Sequence, residues 1–520
     1  MNLLLDLRGI QTPYFPERGI ARYVANHAAA LADRPEVTRL VGVLEPDRPL
    51  PAVAPRFAER DGLVSWRRVN DALRGEGPFV YHLGSPFELD WTAAQLVPAA
   101  VRRPDVLRSV TLFDVIPMVY PDAHPGWLMR RWRYRAELIR SADLVLAISA
   151  FTAEDAIERL GLDPRRVRVI GTGVPGVDPA TLAGPRVPPA IAGLEPRFVL
   201  YTGGSEHPRK NLPLLVRAFA RLPEALRATH QLVIATRVQE PVRALLQDEA
   251  DRAGVGGRLL MPGYVTDDEL RGLYLSCRCF VYPSLYEGFG LPPVEAMSHG
   301  APTVASGTTS VAEVIADPRA AFDPEDEGAV AAAMERVLED PALAADLAAR
   351  GLEMAARHTW AAVAERTVEA FADALSSRRR AAPRAARPTF AMWSYPTPGS
   401  PAGALLQVAG AVSEDGPVAL VSPAGLRPRR AGAVTALPAR LGRTLEWAGG
   451  PLIALVDSPE AAGAAVGPLA DRDGTAVIWE LDRALAAGPD PVRAVAAAAG
   501  RVVVGSELDA WRLRLAVGPA

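Results

Sequence analysis

Cysteine is nearly absent. Cys277 and Cys279 are the whole complement of 520 residues, separated by one position inside an apolar stretch. That leaves no disulfide framework and too few ligands for zinc. Both are expected to be packed thiols, which suits a cytoplasmic protein. No run of about 18 uninterrupted apolar residues occurs, so no spanning helix is expected, and the chain should be soluble or at most peripheral on a membrane. The opening MNLLLDLRGI has no basic region before its apolar run and carries Asp6 within it, so it reads as a buried strand and not as a signal peptide. Charge of one sign is missing too. With 57 Lys and Arg against 60 Asp and Glu, the formal net charge is -3. No global basic field exists to drive nucleic-acid binding, and any anion site must be local.

Hydrophobic residues make up 49% and charged residues 22%, the balance of a globular protein, and 520 residues suggest more than one domain. Strand-like runs at 3–5, 40–44, 79–83, 110–113, 144–148 and 167–170 alternate with helical patterns, including 20–31 and an Arg-rich helix at 126–141. This alternation predicts an α/β chain with a parallel sheet covered by helices on both faces. A first doubly wound domain spans 1–180. Residues 181–196, with four prolines and two glycines, read as an interdomain linker. A second series, 197–377, has strands at 198–202, 231–235, 258–261, 279–282 and 302–305. Trp360, Val363, Thr367, Phe371 and Leu375 then form one face of a closing helix. Residues 378–388 are a basic linker, and 389–520 read as an extra α/β unit with strands at 390–393, 418–421, 452–456, 475–479 and 501–504. The segment starting at Arg501 aligns loosely with the strand, serine and helix around Ser149, a weak internal repeat.

The densest chemistry lies in YPSLYEGFGLPPVEAMSHGAP, where Glu287 and Glu295 are separated by two glycines and two prolines. One continuous helix is excluded. Pro292 and Pro293 suit a first helical turn, which puts Glu287 in the preceding loop and Glu295 just inside the helix. Gly288 and Gly290 allow conformations and close approaches that a Cβ would block. A glycine-bearing loop entering a helix offers free amides and a positive dipole end to a phosphate. The carboxylates are then free for hydroxyls, Glu287 on a sugar and Glu295 on a ribose. A plain strand, loop and helix, with Glu295 merely favouring the helix dipole, accounts for the same residues. In FVLYTGGSEHPRKNLPLLVRAFARL a strand leads through Gly203 and Gly204 to Arg209, Lys210 and a helix. It lacks the spacing and the Gly-Lys-Ser/Thr of a Walker loop. Arg209 offers a fork and Lys210 a point charge, together suited to a diphosphate, although a solvated basic turn is the commoner meaning of such a pair.

These segments resemble the retaining nucleotide-sugar glycosyltransferases of the GT-B fold, carbohydrate-active family four, over about residues 1–375. The resemblance implies two facing Rossmann-like domains with the donor held mainly by the second. It implies Glu287 on the donor sugar, Glu295 on the ribose, and Arg209 and Lys210 on the diphosphate. The amides of Phe289, Gly290 and Leu291 would face phosphates and sugar, and Gly263 with Tyr264 would line the base. From the first domain, Gly19 would sit against the phosphates, with Arg22 and Tyr23 shaping the cleft. The segment TLFDVIPMVYPDAHP places Phe113 where the family often has histidine, leaving Asp114 as the polar group there. His124 reads as a loop histidine and not as a replacement. The arginines and aromatics of 129–140 read as a solvated helix face with Trp132 inward; an anionic acceptor or a membrane surface is the alternative.

The implied reaction is retaining transfer of a hexose, mannose among them, from a nucleotide-diphosphate sugar to a glycan or lipid-linked acceptor in cell-surface polysaccharide assembly. No cofactor and no metal are required, because the helix terminus and the two fixed cations meet the charge on the leaving diphosphate. The acceptor proton passes to the leaving phosphate, with Asp114 as a helper. Alternatives are a phosphorylase of the same fold and a noncatalytic nucleotide-binding or scaffold subunit. Residues 389–520 loosely resemble the opening part of a second such transferase without its Glu-loop-Glu segment.

Overall fold

The computed structural model describes residues 1–11, 19–75, 78–87, 91, 93–184, 186–315 and 317–380, with six strand segments between 389 and 479. Two compact units are present. The first contains two parallel sheets, the second a third sheet.

The first sheet is built from β1 (Asn2–Asp6), β2 (Arg39–Leu44), β3 (Leu63–Ser65), β4 (Phe79–Leu83), β5 (Val106–Leu112), β6 (Leu144–Ala147) and β7 (Val167–Val169), in the order β3-β2-β1-β4-β5-β6-β7. Every pairing is parallel. Parallel neighbours need crossover connections, which cover both faces and explain why β1 is apolar at Leu3, Leu4 and Leu5 without alternation. β5 begins four residues before the expected strand at 110. Arg108 interrupts the apolar run, but its guanidinium pairs with Asp143 at 3.1 Å, so the charge is accommodated in a half-buried strand position. β3 was not expected from the sequence, because three half-buried residues carry no period.

The second sheet comprises β8 (Phe198–Thr202), β9 (Gln231–Ala235), β10 (Leu259–Leu260), β11 (Cys279–Tyr282), β12 (Thr303–Ser306) and β13 (Ala321–Phe322), ordered β10-β9-β8-β11-β12-β13 and also parallel throughout. Its strand order reverses between β8 and β11, and the crevice at such a reversal is where open α/β sheets bind ligands. Cys277 and Cys279 are buried free thiols in this lobe, and burial pushes Cys277 up to about 12.

The closing helix, Trp360–Arg380, was expected to belong with the second domain, which it follows in the chain. It buries its face against the first lobe instead. Val363, Ala364, Val368 and Phe371 join Leu3, Leu5, Leu107 and Leu146 in one core. Polar contacts fix the register: Arg366 Nε donates to the Ile170 carbonyl at 2.7 Å, and Thr367 Oγ1 lies 2.9 Å from His27 Nε2. The helix runs through Arg380, three residues into the expected basic linker. Residues 381–388 lie outside the described residues.

The third sheet joins β14 (Thr389–Trp393), β15 (Val418–Ser422), β16 (Arg429–Ala431), β17 (Val434–Pro438), β18 (Leu452–Val456) and β19 (Ala476–Trp479), in the order β16-β17-β15-β14-β18-β19. Apart from the antiparallel β16 its pairings are parallel. The order β17-β15-β14-β18-β19 repeats that of β3-β2-β1-β4-β5. The expected strand at 501–504 and the segment of the weak internal repeat lie outside the described residues.

Candidate active site

Arg209 and Lys210 follow β8, and Glu287 follows β11, so the strand reversal brings all three together. Lys210 Nζ lies 2.6 Å and Arg209 Nη1 3.0 Å from the same Glu287 Oε1. Tyr282 OH donates to that oxygen at 3.0 Å and accepts from Lys210 Nζ at 2.9 Å, and Ser284 Oγ adds another hydrogen bond. Arg209 also reaches the Tyr286 carbonyl at 3.0 Å and Glu206 at 3.3 Å. Burial alone would raise the Glu287 carboxyl, but the charges of Lys210 and Arg209 hold it down at about 2. Burial lowers Lys210, partly offset by Glu287, while Arg209 pushes it the same way as burial. Glu287 is thus met by two cations on one oxygen, with Glu206 pairing Arg209 from the more exposed side.

The loop after Glu287 ends at Gly290, whose φ of 101° is left-handed backbone, and the helix Leu291–Ser298 begins directly after it with proline in its first turn. Among the described residues the amides of Phe289, Gly290 and Leu291 donate to no backbone acceptor. Phe289 itself is buried, edge-on to His358 at 5.3 Å. Gly203, at φ 121°, lets the turn after β8 approach Pro292: a Cβ there would lie 3.4 Å from Pro292 Cγ. Gly204 holds the same turn through its carbonyl, which accepts from Tyr201 OH at 2.6 Å.

Glu295 is half-buried one turn into the helix and accepts from Tyr274 OH at 3.2 Å. Burial raises its carboxyl, with Arg22 and the tyrosine opposing. Gly263 is left-handed at φ 85° and open to space, and Tyr264 beside it is 61% exposed, enough for a ring to receive a flat ligand.

The first lobe contributes across the cleft. A Cβ on Gly19 would lie 4.0 Å from Leu291 Cδ1, so the first helix, Gly19–Ala32, meets the start of the Glu295 helix. Arg22 approaches Asp267 at 3.7 Å between exposed side chains. Tyr23 does not face the cleft. It is buried edge-on to Phe113 and Trp360, its hydroxyl donating to the Gly171 carbonyl at 3.0 Å, because the amphipathic helix turns that position inward. Phe113 is core. Asp114 accepts from the Ile116 amide at 2.9 Å and is raised by burial and by Glu287, with Ile116, Arg209 and Lys210 opposing. His124 occupies a loop, as expected, yet within electrostatic reach of Arg209 and Glu206, and its Nε2 is buried with no hydrogen-bond partner among the described residues.

Sequence reasoning missed Ser149, Thr152 and Glu313, which bind the lobes together, and Ser310, which steadies the Glu287 loop within its own lobe. Ser149 Oγ and Thr152 Oγ1 both donate to the Gly288 carbonyl, at 2.6 and 2.9 Å. Ser310 Oγ donates to the Glu287 carbonyl at 2.8 Å. The only local signal was a serine ahead of a helical pattern, which ordinarily marks an N-cap. Ser149 is one, accepting from the Thr152 amide at 2.9 Å.

Two family models match consecutive stretches: Glycosyltransferase Family 4 over residues 18–175 and Glycosyl transferases group 1 over 191–354. The serotype-specific mannosyltransferase WbdA of Escherichia coli is 35% identical over 271 residues, covering 51% of this chain and 33% of WbdA, so the chain spans about a third of that relative's length. O-antigen chain mannosyltransferase B of E. coli is 31% identical over 327 residues, covering 61% of this chain and 80% of that protein. Among solved structures, Anabaena Alr3699/HepE in complex with UDP-glucose superposes with a TM-score of 0.53 at 18% identity, over 72% of this chain and 100% of its own. Sucrose-phosphate synthase from Thermosynechococcus elongatus gives 0.52 at 20% identity, with coverages of 72% and 100%. At such identities the likeness is one of fold, the GT-B arrangement of two Rossmann-like lobes. The sequence relatives carry the family: this chain belongs to the group 1 glycosyltransferases, glycosyltransferase family 4.

Proposed function

We propose that the chain transfers a hexose, with mannose the first choice, from a nucleotide-diphosphate sugar to a glycan or lipid-linked glycan acceptor, with retention at the anomeric carbon. The observation that carries this reading is the pocket at the strand reversal, where Glu287, Arg209 and Lys210 share one oxygen beside a helix start with open amides. A diphosphate arriving there meets Arg209, Lys210 and the amides of Phe289 to Leu291, which stabilise the charge that develops as the sugar–phosphate bond breaks. Glu287, held ionised, is the acceptor for donor-sugar hydroxyls, and Glu295 for the ribose. Gly263 and Tyr264 border the base. The acceptor hydroxyl gives its proton to the leaving phosphate, with Asp114 at the rim as the nearby carboxyl of raised proton affinity. These cations and amides meet the charge without calling on a metal ion. The choice of mannose rests on what the two Escherichia coli relatives are called, mannosyltransferases. A cytoplasmic site of action, peripheral at the inner membrane face, suits a lipid-linked acceptor. No helix among the described residues is long and apolar enough to cross a membrane.

A thermal-shift panel of GDP, UDP and their hexose derivatives, followed by transfer assays with the stabilising donor, tests the reading. Stabilisation by one nucleoside diphosphate and product inhibition by it are expected. Turnover strictly dependent on inorganic phosphate would establish a phosphorylase instead, and nucleotide binding with no turnover toward any acceptor would leave a binding subunit.

A further inference from the structure

Glu313 lies in the second lobe, 26 positions after Glu287, yet its carboxylate is spent on the first lobe. Oε2 accepts from the Ala150 amide at 3.0 Å and Oε1 from the Phe151 amide at 2.6 Å. These are the first two amides of the helix Ala150–Leu160, which have no acceptor within the helix itself. The carboxylate satisfies both and sits at the positive end of the helix dipole. On the same turn Ser149 and Thr152 hold the Gly288 carbonyl, and on the next Asp155 accepts from Tyr286 OH. From the other side Thr309 Oγ1 accepts from the Glu287 amide at 3.4 Å and Ser310 holds the Glu287 carbonyl. The loop bearing Glu287 is therefore gripped between one helix turn of the first lobe and the segment 309–313 of its own lobe. Glu313 is the bond that ties those two grips to each other.

We infer that Glu313 is a positioning residue for transfer: by clamping the first turn of helix Ala150–Leu160 it sets the lobe-to-lobe register in which Glu287 meets the acceptor side. This rests on the transferase reading above. It differs from the donor contacts in touching no substrate. Glu313 is solvent-exposed, so its replacement leaves no buried charge, and the clamp is separable from folding. Ser149, Thr152 and Ser310 are buried and serve both purposes.

Two measurements on the full chain test it, using Glu313→Ala and Glu313→Gln. Hydrogen exchange at the Ala150 and Phe151 amides should quicken by about tenfold or more in Glu313→Ala. Glu313→Gln, which keeps one acceptor oxygen, should fall between it and the parent. In transfer assays kcat should drop by about tenfold in Glu313→Ala with partial recovery in Glu313→Gln, while the affinity for GDP or UDP, whichever stabilises the parent, changes less than twofold. A merely structural role would lower the melting temperature and nucleotide affinity together. Unchanged exchange at Ala150 and Phe151, or quickened exchange with parental kcat, overturns the inference. A parent inactive with every donor would sink the transferase reading instead, and the exchange result would still decide whether the clamp exists.

Discussion

Replacing Glu287 by glutamine should leave Lys210 and Arg209 buried beside a neutral amide. Loss of one partner from a buried ion pair typically costs about 3 kcal/mol or more, and loss of a charged contact in a transfer site about a hundredfold in rate. Denaturant titration and initial rates of folded Glu287→Gln check both. The same carboxyl gives a pH signature. Its folded value, about 2, lies below the ordinary 4.5, so the stability it contributes is complete above pH 4.5 and drains away as pH falls toward 2. Glu287→Gln should therefore lose less melting temperature than the parent over that window. Asp114 shifts the opposite way, so if it holds the acceptor's proton, the acid limb of kcat/KM lies above the ordinary carboxylate range. Asp114→Asn should remove that limb, which a pH–rate profile reads directly. The acidic and basic members of the site were legible in the sequence because their loops carry local chemistry: glycines, prolines at a helix start, a basic pair before a helix. Their mutual pairing was not, since Lys210 and Glu287 stand 77 residues apart.

At the scale of elements, the loop from Glu287 to Gly290 and the closing helix each do work that their sequences only half reveal. Gly288 was read as a position allowing a close approach that a Cβ would block. What approaches is the other lobe: a Cβ there would come within 2.0 Å of the Phe113 carbonyl and 3.0 Å of Asp114 Cβ. Gly288→Ala should thus force the lobes apart, lowering kcat while nucleotide affinity, seated in the second lobe, holds. A nucleotide titration beside the transfer assay separates the two. The closing helix meets a buried imidazole pair, His27 and His82, whose rings lie 5.7 Å apart. Burial pushes His27 down to about 3, and burial with His27 lowers His82. Both are neutral in the fold, whereas the unfolded chain takes up protons below about pH 6.5. Stability should therefore fall as pH drops from about 6.5 toward 3, and His27→Gln should flatten that slope in melting curves. The periodic face at Val363, Thr367 and Phe371 announced an amphipathic helix. It did not announce which core the face would enter, because a period specifies burial and not the partner.

For the whole molecule, the first lobe is incomplete without the last helix of the second. A chain ending at residue 359 exposes the part of the first core filled by Val363, Val368 and Phe371, and should aggregate or melt far below the parent. A chain ending at Arg380 keeps that core and the donor pocket, and is expected to fold and retain nucleotide binding; size-exclusion profiles and nucleotide titrations of both decide it. The third sheet repeats the strand order of the first lobe's opening half.

The alternation of apolar runs and helical patterns determined two parallel α/β lobes, because buried parallel strands must be apolar and must be joined by crossovers. Local motifs singled out the loops that meet at the strand reversal, because in each a few positions hold glycines together with prolines at a helix start or a basic pair. The tertiary structure alone decided that Glu287 is neutralised by Arg209 and Lys210, that Tyr23 and Phe113 are core, that the closing helix crosses to the first lobe, and that Glu313 holds a helix of the opposite one. Each of these joins segments far apart in the chain, and only the folded arrangement of the lobes fixes such pairings.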